Sequence, residues 1–198
     1  MGRDKAWLEL AGVPLVLRIA RAVEPLVPAV TVIGPPSQFE SAGSAAIPDE
    51  TSSIVDPGES SRGPLGGIVT ALNATRCSWN VVLACDLPYI TTSWIDWLLR
   101  RAAKSDAQAV VPEQTSRLEP LAAVYRKECA WVLAAALARG ERKVSDAIRD
   151  LRVELIPEAE WRDADPEGNV LANMNTPEEY ACARQWWEEK ERRKAAAR

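Results

Sequence analysis

Histidine is absent from all 198 residues, and this gap excludes more chemistry than any other in the composition. Without it there is no general base that titrates near neutrality, no Ser-His or Cys-His nucleophile pair, and not the commonest zinc ligand. Chemistry on this chain must use carboxylates, Lys, Arg or a hard metal. Long apolar runs are missing too: Arg, Pro or Gly breaks every greasy stretch well short of the roughly 20 residues that span a bilayer. The opening MGRDKAWLEL lacks the apolar stretch of an export signal, and Ala6 stands where a myristoylation signal needs Ser or Thr. There is no excess of positive charge. With 24 Lys and Arg against 28 Asp and Glu the net charge is −4, which excludes general nucleic-acid binding and requires local cations or a metal for any anionic ligand. Cysteine is sparse: Cys77, Cys85, Cys129 and Cys182 show no C-x-x-C spacing and read as small apolar residues of a protein in the reducing cytoplasm.

What is present is ordinary for one globular domain, with 47% hydrophobic and 26% charged residues. Pro14 to Val27 places Leu15, Ile19, Val23 and Leu26 on one helical face, with Pro14 suited to the first turn. AVTVIG, ending in Gly34, and SSIVD, ending in Asp56, read as short strands. A helical pattern follows from Pro64 through Ile68, Leu72 and Ala74. In NVVLACDLP, Val81 to Cys85 are consecutively apolar, the signature of a central parallel strand buried on both faces. Thr91 to Ser93 offer an N-cap for a helix carrying Trp94, Leu98 and Ala102, and AQAVVP is the next strand. EPLAAVYRKE predicts a strand, CAWVLAAALARG a helix closed by Gly140, VSDAIRDL a short helix and RVELIP a last strand. NMNTPEEY opens the final helix, with Thr176 as N-cap, Pro177 in the first turn and Glu179 completing a capping box. The alternation predicts an α/β domain with a mostly parallel sheet over residues 1–187, and residues 188–198 as a charged, solvated helical tail. Trp94, Trp131, Trp161 and Trp186 fall in helical patterns and read as packing residues.

In open parallel sheets ligands bind at the carboxyl ends of the strands, where Gly34, Asp56 and Asp86 fall. Asp86 is the sharpest candidate, because an unpaired carboxylate after an apolar strand needs a cation, donors or water, and Mg²⁺ is a natural partner. The competing reading makes Asp86 a helix cap, but Pro88 and the Thr pair come too late for that. Gly58 and Gly63 have P-loop spacing, yet Pro64 and Leu65 stand where Lys and Ser or Thr are required. What remains there is a loop with Arg62 leading to a helix start where Gly66 and Gly67 permit close backbone approach.

Taken in order, MGRDKAWLEL, DPG with RGPLGG, ACDLPYI, EPLAAVYR and NMNTPEEY resemble the molybdenum cofactor guanylyltransferases, within the wider nucleotidyltransferase fold group. The likeness covers nearly the whole chain. The family's first motif reads L-A-G-G-x-S-x-R-M-G-x-D-K, and Met1 to Lys5 match its tail end, which makes Met1 the motif's internal Met and leaves the first strand and glycine-rich loop out of the chain as given.

The resemblance implies a single three-layer, Rossmann-like nucleotidyltransferase domain that transfers GMP from Mg²⁺-GTP to molybdopterin and releases pyrophosphate. It assigns Lys5 to the triphosphate and, with Asp86, to catalysis. Asp86 becomes the Mg²⁺ ligand, Asp56 a nucleotide-binding residue, and Asn173 and Asn175 the residues beside the pterin. Gly34 departs from relatives that carry Asn there. Molybdoenzyme maturation proteins are the implied partners. A phosphate nucleophile is already ionised at pH 7, so such a reaction needs no histidine. The rival readings are a cytidylyl- or sugar-phosphate nucleotidyltransferase on the same fold, and a non-catalytic nucleotide-binding maturation protein. The Asn pair of NMNTPEEY favours the guanylyl branch.

Overall fold

A computed structural model describes residues 5–34, 51–55 and 63–196. Two short strands, β1 (Glu9–Leu10) and β2 (Val13–Pro14), open it as a hairpin with Leu10 opposite Val13. Ala11 and Gly12 turn the corner at φ 46° and 72°, the left-handed pair that a two-residue hairpin requires. Strands this short carry no periodic signal in the sequence. Helix α1 (Leu15–Val23) starts at Pro14 and buries Leu15, Ile19 and Val23. It tightens into a 3-10 turn at Glu24–Leu26 because Pro25 has no N–H for an α-helical bond.

Strands β3 (Val30–Gly34) and β4 (Thr51–Val55) pair in parallel, with Gly34 opposite Val55. Helix α2 (Gly63–Ala74) packs against β3: a Cβ added at Gly67 would lie 3.8 Å from Ile33 Cγ2.

The remaining strands are β5 (Trp79–Leu83), β6 (Ala109–Gln114), β7 (Arg117–Leu118), β8 (Ala122–Arg126) and β9 (Val153–Ile156). Their order is β5-β8-β6-β7, with β9 also on β6. This corrects the expectation of a mostly parallel sheet. Strand β8 runs antiparallel to both β5 and β6, and β6 to β7, whereas β9 is parallel to β6. The reason is local. Thr115 and Ser116, at φ 48° and 61°, reverse the chain directly after β6, so β8 returns without a crossover helix and must run the other way. Strands β5, β6 and β9 keep a common direction, with β8 inserted between the first two.

Side chains alternate across the sheet. Ala109, Val111, Ala123 and Tyr125 join α2 and helix α4 (Cys129–Ala138) in one apolar cluster. Val110, Ala122 and Val124 join helix α3 (Thr92–Ala103) and the buried Trp161 in another. Trp161 ends the short helix α6 (Glu158–Trp161), preceded by α5 (Val144–Ala147). A long helix, α7 (Pro177–Ala196), closes the chain.

Three smaller expectations also change. Strand β5 is half-buried throughout and not sealed on both faces, and among the described residues its ladder partner is β8. Of the cysteines only Cys129 is buried; Cys85 lies in a turn and Cys182 on α7, both exposed. Trp94 and Trp161 are fully buried, but Trp131 is 70% exposed because its position on α4 faces away from the sheet. Residues from 188 on continue α7 to Ala196, and Glu191 lies 3.7 Å from Arg18 on α1.

Candidate active site

Strand β5 delivers the chain to a turn that ends in a carboxylate. Ala84 donates its N–H to Leu121 O at 2.7 Å, Cys85 and Asp86 turn, and the buried Leu87 and Ile90 anchor the segment leading to α3. Helix α3 is capped by Thr91, whose Oγ1 accepts from Trp94 N at 3.3 Å, so Asp86 has no capping duty.

Asp86 lines a cleft of about 380 Å³ together with Pro64, Glu119, Arg142, Lys143 and Asn173. Burial pushes its carboxyl above the ordinary value; its own backbone N–H and the charge of Lys5 pull it part of the way back. Glu119 is also raised by burial, which Arg117 offsets and the neighbouring Asp86 charge reinforces. Both carboxyls are raised chiefly by burial, so a cation bound beside them would favour their charged forms. The donors are all oxygen, which suits Mg²⁺, an ion that takes one or two protein carboxylates and completes its shell with substrate phosphates and water. Among the described residues no group of three or more His, Cys, Asp or Glu could cage a metal without a substrate.

The opposite end of the chain forms the adjoining wall. Met174 donates its N–H to Asp86 O at 2.9 Å and sinks its side chain into a core with Leu10, Leu15 and Ile19. Met174 is buried in this irregular segment, and Asn173 and Asn175 on either side of it are exposed. Asn173 faces the cleft, and Asn175 Oδ1 accepts from Lys5 Nζ at 2.6 Å. Glu179 fixes this segment. Its Oε2 accepts from Asn175 N at 2.6 Å and Thr176 N at 2.8 Å, and Thr176 Oγ1 accepts from Glu179 N at 3.2 Å, which is the capping box expected from TPEE. Those two backbone donors hold the Glu179 carboxyl below its ordinary value.

Lys5, Asp86, Asn173 and Asn175 therefore converge, although the first and last are 170 residues apart. Asp56 and Arg62 lie outside the described residues; β4 ends one residue before Asp56. Glu119, Arg142 and Lys143 had no role in the sequence reading. Glu119 opens the EPLAAVYR motif and could have been flagged there. The two cations follow the helix-ending Gly140 and carried no signal. Arg142 Nη1 is pinned to Leu137 O at 3.1 Å and Glu141 O at 2.8 Å.

The model of the MobA-like NTP transferase domain matches residues 1–159. The chain belongs to the MobA-like NTP transferase family. This family member is 34% identical to a molybdenum cofactor guanylyltransferase of Pseudomonas putida over 89% of its own length and 86% of the relative's. It superposes on the crystal structure of molybdopterin-guanine dinucleotide biosynthesis protein A from Archaeoglobus fulgidus with a TM-score of 0.80 at 25% identity, covering 95% of this chain and 92% of that one. It also matches 2-C-methyl-D-erythritol 4-phosphate cytidylyltransferase from Thermus thermophilus, with a TM-score of 0.68, 16% identity and coverage of 94% and 95%, a likeness of fold alone. The nucleotidyltransferase fold expected from the sequence is therefore present, with a mixed sheet.

Proposed function

We propose that this MobA-like NTP transferase moves GMP from GTP to the terminal phosphate of molybdopterin, releasing pyrophosphate. A phosphate oxygen of the acceptor attacks the α-phosphorus, and the bond from that phosphorus to the bridging oxygen of the leaving pyrophosphate breaks. No proton need be removed from the nucleophile, which agrees with a chain without histidine.

The observation that carries this reading is the convergence of Lys5, Asp86, Asn173 and Asn175 beside one cleft. Asp86, with Glu119 next to it, would hold Mg²⁺, which when bound neutralises charge on the triphosphate. Lys5 supplies a further positive charge, directed by Asn175. Asn173 faces the acceptor, and Arg142 and Lys143 place two cations on the cleft wall for its phosphate. Asp56 serves the nucleotide. The apolar clusters on both faces of the five-stranded sheet support a three-layer, Rossmann-like arrangement. Four cysteines with no disulfide among them support a cytoplasmic setting, and among the described residues no helix is long and apolar enough to cross a membrane.

Calorimetric titration with GTP and with CTP in Mg²⁺, followed by a transfer assay on molybdopterin, tests the reading. GTP should bind in the micromolar range and yield the guanine dinucleotide. Equal binding of CTP, or CMP transfer, would replace the guanylyl assignment with the cytidylyl one.

A further inference from the structure

The C-terminal helix α7 reaches both parts of the candidate site with polar anchors. Trp187 Nε1 donates to Pro88 O at 2.8 Å, across 99 residues of sequence. Tyr180 Oη donates to Glu9 O at 2.9 Å, just past Lys5. Trp187 is itself held in place. The Arg18 guanidinium lies 3.9 Å from the centre of its ring, and Arg18 Nε donates to Leu10 O at 2.6 Å. Trp186 packs edge-on against it at 5.0 Å between centroids. The turn that carries Asp86 thus has two hydrogen bonds from one continuous stretch of chain, Met174 N to Asp86 O and Trp187 Nε1 to Pro88 O, on either side of Leu87.

We propose that Trp187 is a positioning residue: its indole N–H, fixed by α7, holds the Asp86–Pro88 turn so that the Asp86 carboxylate meets the metal-bound triphosphate in register with Lys5. The catalytic part of this statement rests on the proposed GMP transfer; the positioning part rests on geometry alone. A buried apolar contact would hold the turn near α7, but only a directional bond fixes the rotation of the peptide plane after Pro88, two residues on from the Asp86 plane that Met174 N holds. A catalytic carboxylate displaced by a fraction of an ångström loses much of its effect.

Trp187→Phe removes the donor and keeps a ring beneath Arg18. Two measurements separate the parts of the proposal. In hydrogen exchange, the Met174 amide, which donates to Asp86 O, should exchange about tenfold faster in the variant, the size expected from one lost hydrogen bond. Amides of α4 on the far side of the sheet should be unchanged. Glu167→Ala, which frees the neighbouring Trp186 Nε1 from its 2.6 Å bond to Glu167 Oε2, should leave Met174 exchange as in the wild type. In the transfer assay, Trp187→Phe should raise the Mg²⁺ concentration for half-maximal rate and lower kcat about tenfold, with KM for GTP little changed. Unaltered Met174 exchange overturns the proposal whatever the activity. Faster exchange with an unmoved Mg²⁺ requirement and kcat reduces Trp187 to a structural residue and likewise overturns it. A wild type that transfers no GMP counts against the function, and the exchange measurement still decides whether Trp187 holds the turn.

Discussion

Lys5 Nζ donates a 2.6 Å hydrogen bond to Asn175 Oδ1, joining the first described residue of the chain to the segment that leads into its last helix. A free lysine at a chain end samples many rotamers, and this bond aims the ammonium at one place. Lys5→Ala should lower kcat/KM for GTP by about a hundredfold, the typical effect of deleting one charged donor to a developing anion. Asn175→Ala leaves the charge but frees it, and should lower the same parameter about tenfold. Steady-state kinetics on the two single variants and the double variant check both, and additive losses would show that Asn175 does not act through Lys5.

Asp86→Asn should reduce Mg²⁺-dependent transfer to about a thousandth or less, because the substitution removes the proposed metal ligand's charge. The fold should persist. Burial already disfavours the charged form, so the amide relieves that strain, and the variant's melting temperature should equal or exceed the wild type's. A transfer rate within a few-fold of wild type removes Asp86 from the metal site.

Burial raises the pKa of both Asp86 and Glu119 in the folded chain. A raised carboxyl contributes stability that is complete below its unfolded value of about 4 and is lost as pH rises through the folded value. Metal-free protein should therefore lose part of its stability as these groups ionise. If Asp86 and Glu119 hold Mg²⁺ as proposed, the bound ion should offset that loss and compete with protons for the same oxygens. Thermal melts with and without Mg²⁺ should give a larger gain at pH 7 than at pH 4. An equal gain at both would separate metal binding from these two carboxylates.

Tyr125 is fully buried, and its hydroxyl donates to Pro120 O at 2.7 Å directly behind the cleft wall. Burial holds the phenol above its ordinary pKa, so it remains a donor at every working pH. Tyr125→Phe fills the same space without a partner for Pro120 O, and should destabilise the protein by about 1–2 kcal/mol in urea unfolding.

Thr176→Ala removes the N-cap of α7 and should lower stability by about 1 kcal/mol in the same measurement. The substitution also loosens the backbone next to Asn175, so the loss should be accompanied by weaker transfer.

Several features of the site were legible without coordinates because their signals are local. TPEE specifies its own capping box through four consecutive residues, and Thr91 caps α3 for the same reason. An aspartate directly after an apolar strand marks itself as costly to bury. The direction of β8 was not legible, since an apolar strand reads alike in either orientation and the reversal depends on the backbone at Thr115 and Ser116. Val81 to Cys85 are half-buried or exposed despite their apolar run, because hydrophobicity reports the affinity for a core and not the cover a segment receives. The outward position of Trp131 is not legible in the sequence, because an all-apolar helix such as CAWVLAAALA gives no amphipathic pattern from which to tell its faces.

By itself the sequence determined the chemistry available. The absence of histidine, the scattered cysteines and an aspartate after an apolar run limit the chemistry by residue type alone, and the resemblance of five ordered motifs to the molybdenum cofactor guanylyltransferases is what points to nucleotidyl transfer. Tertiary structure decided which of those residues meet. The Lys5–Asn175 bond, the joining of Asp86 to Met174, the neighbouring Glu119 and the hold of Trp187 on Pro88 all span long stretches of chain. Contacts of that kind arise from how packed elements close on one another, and no local pattern encodes them.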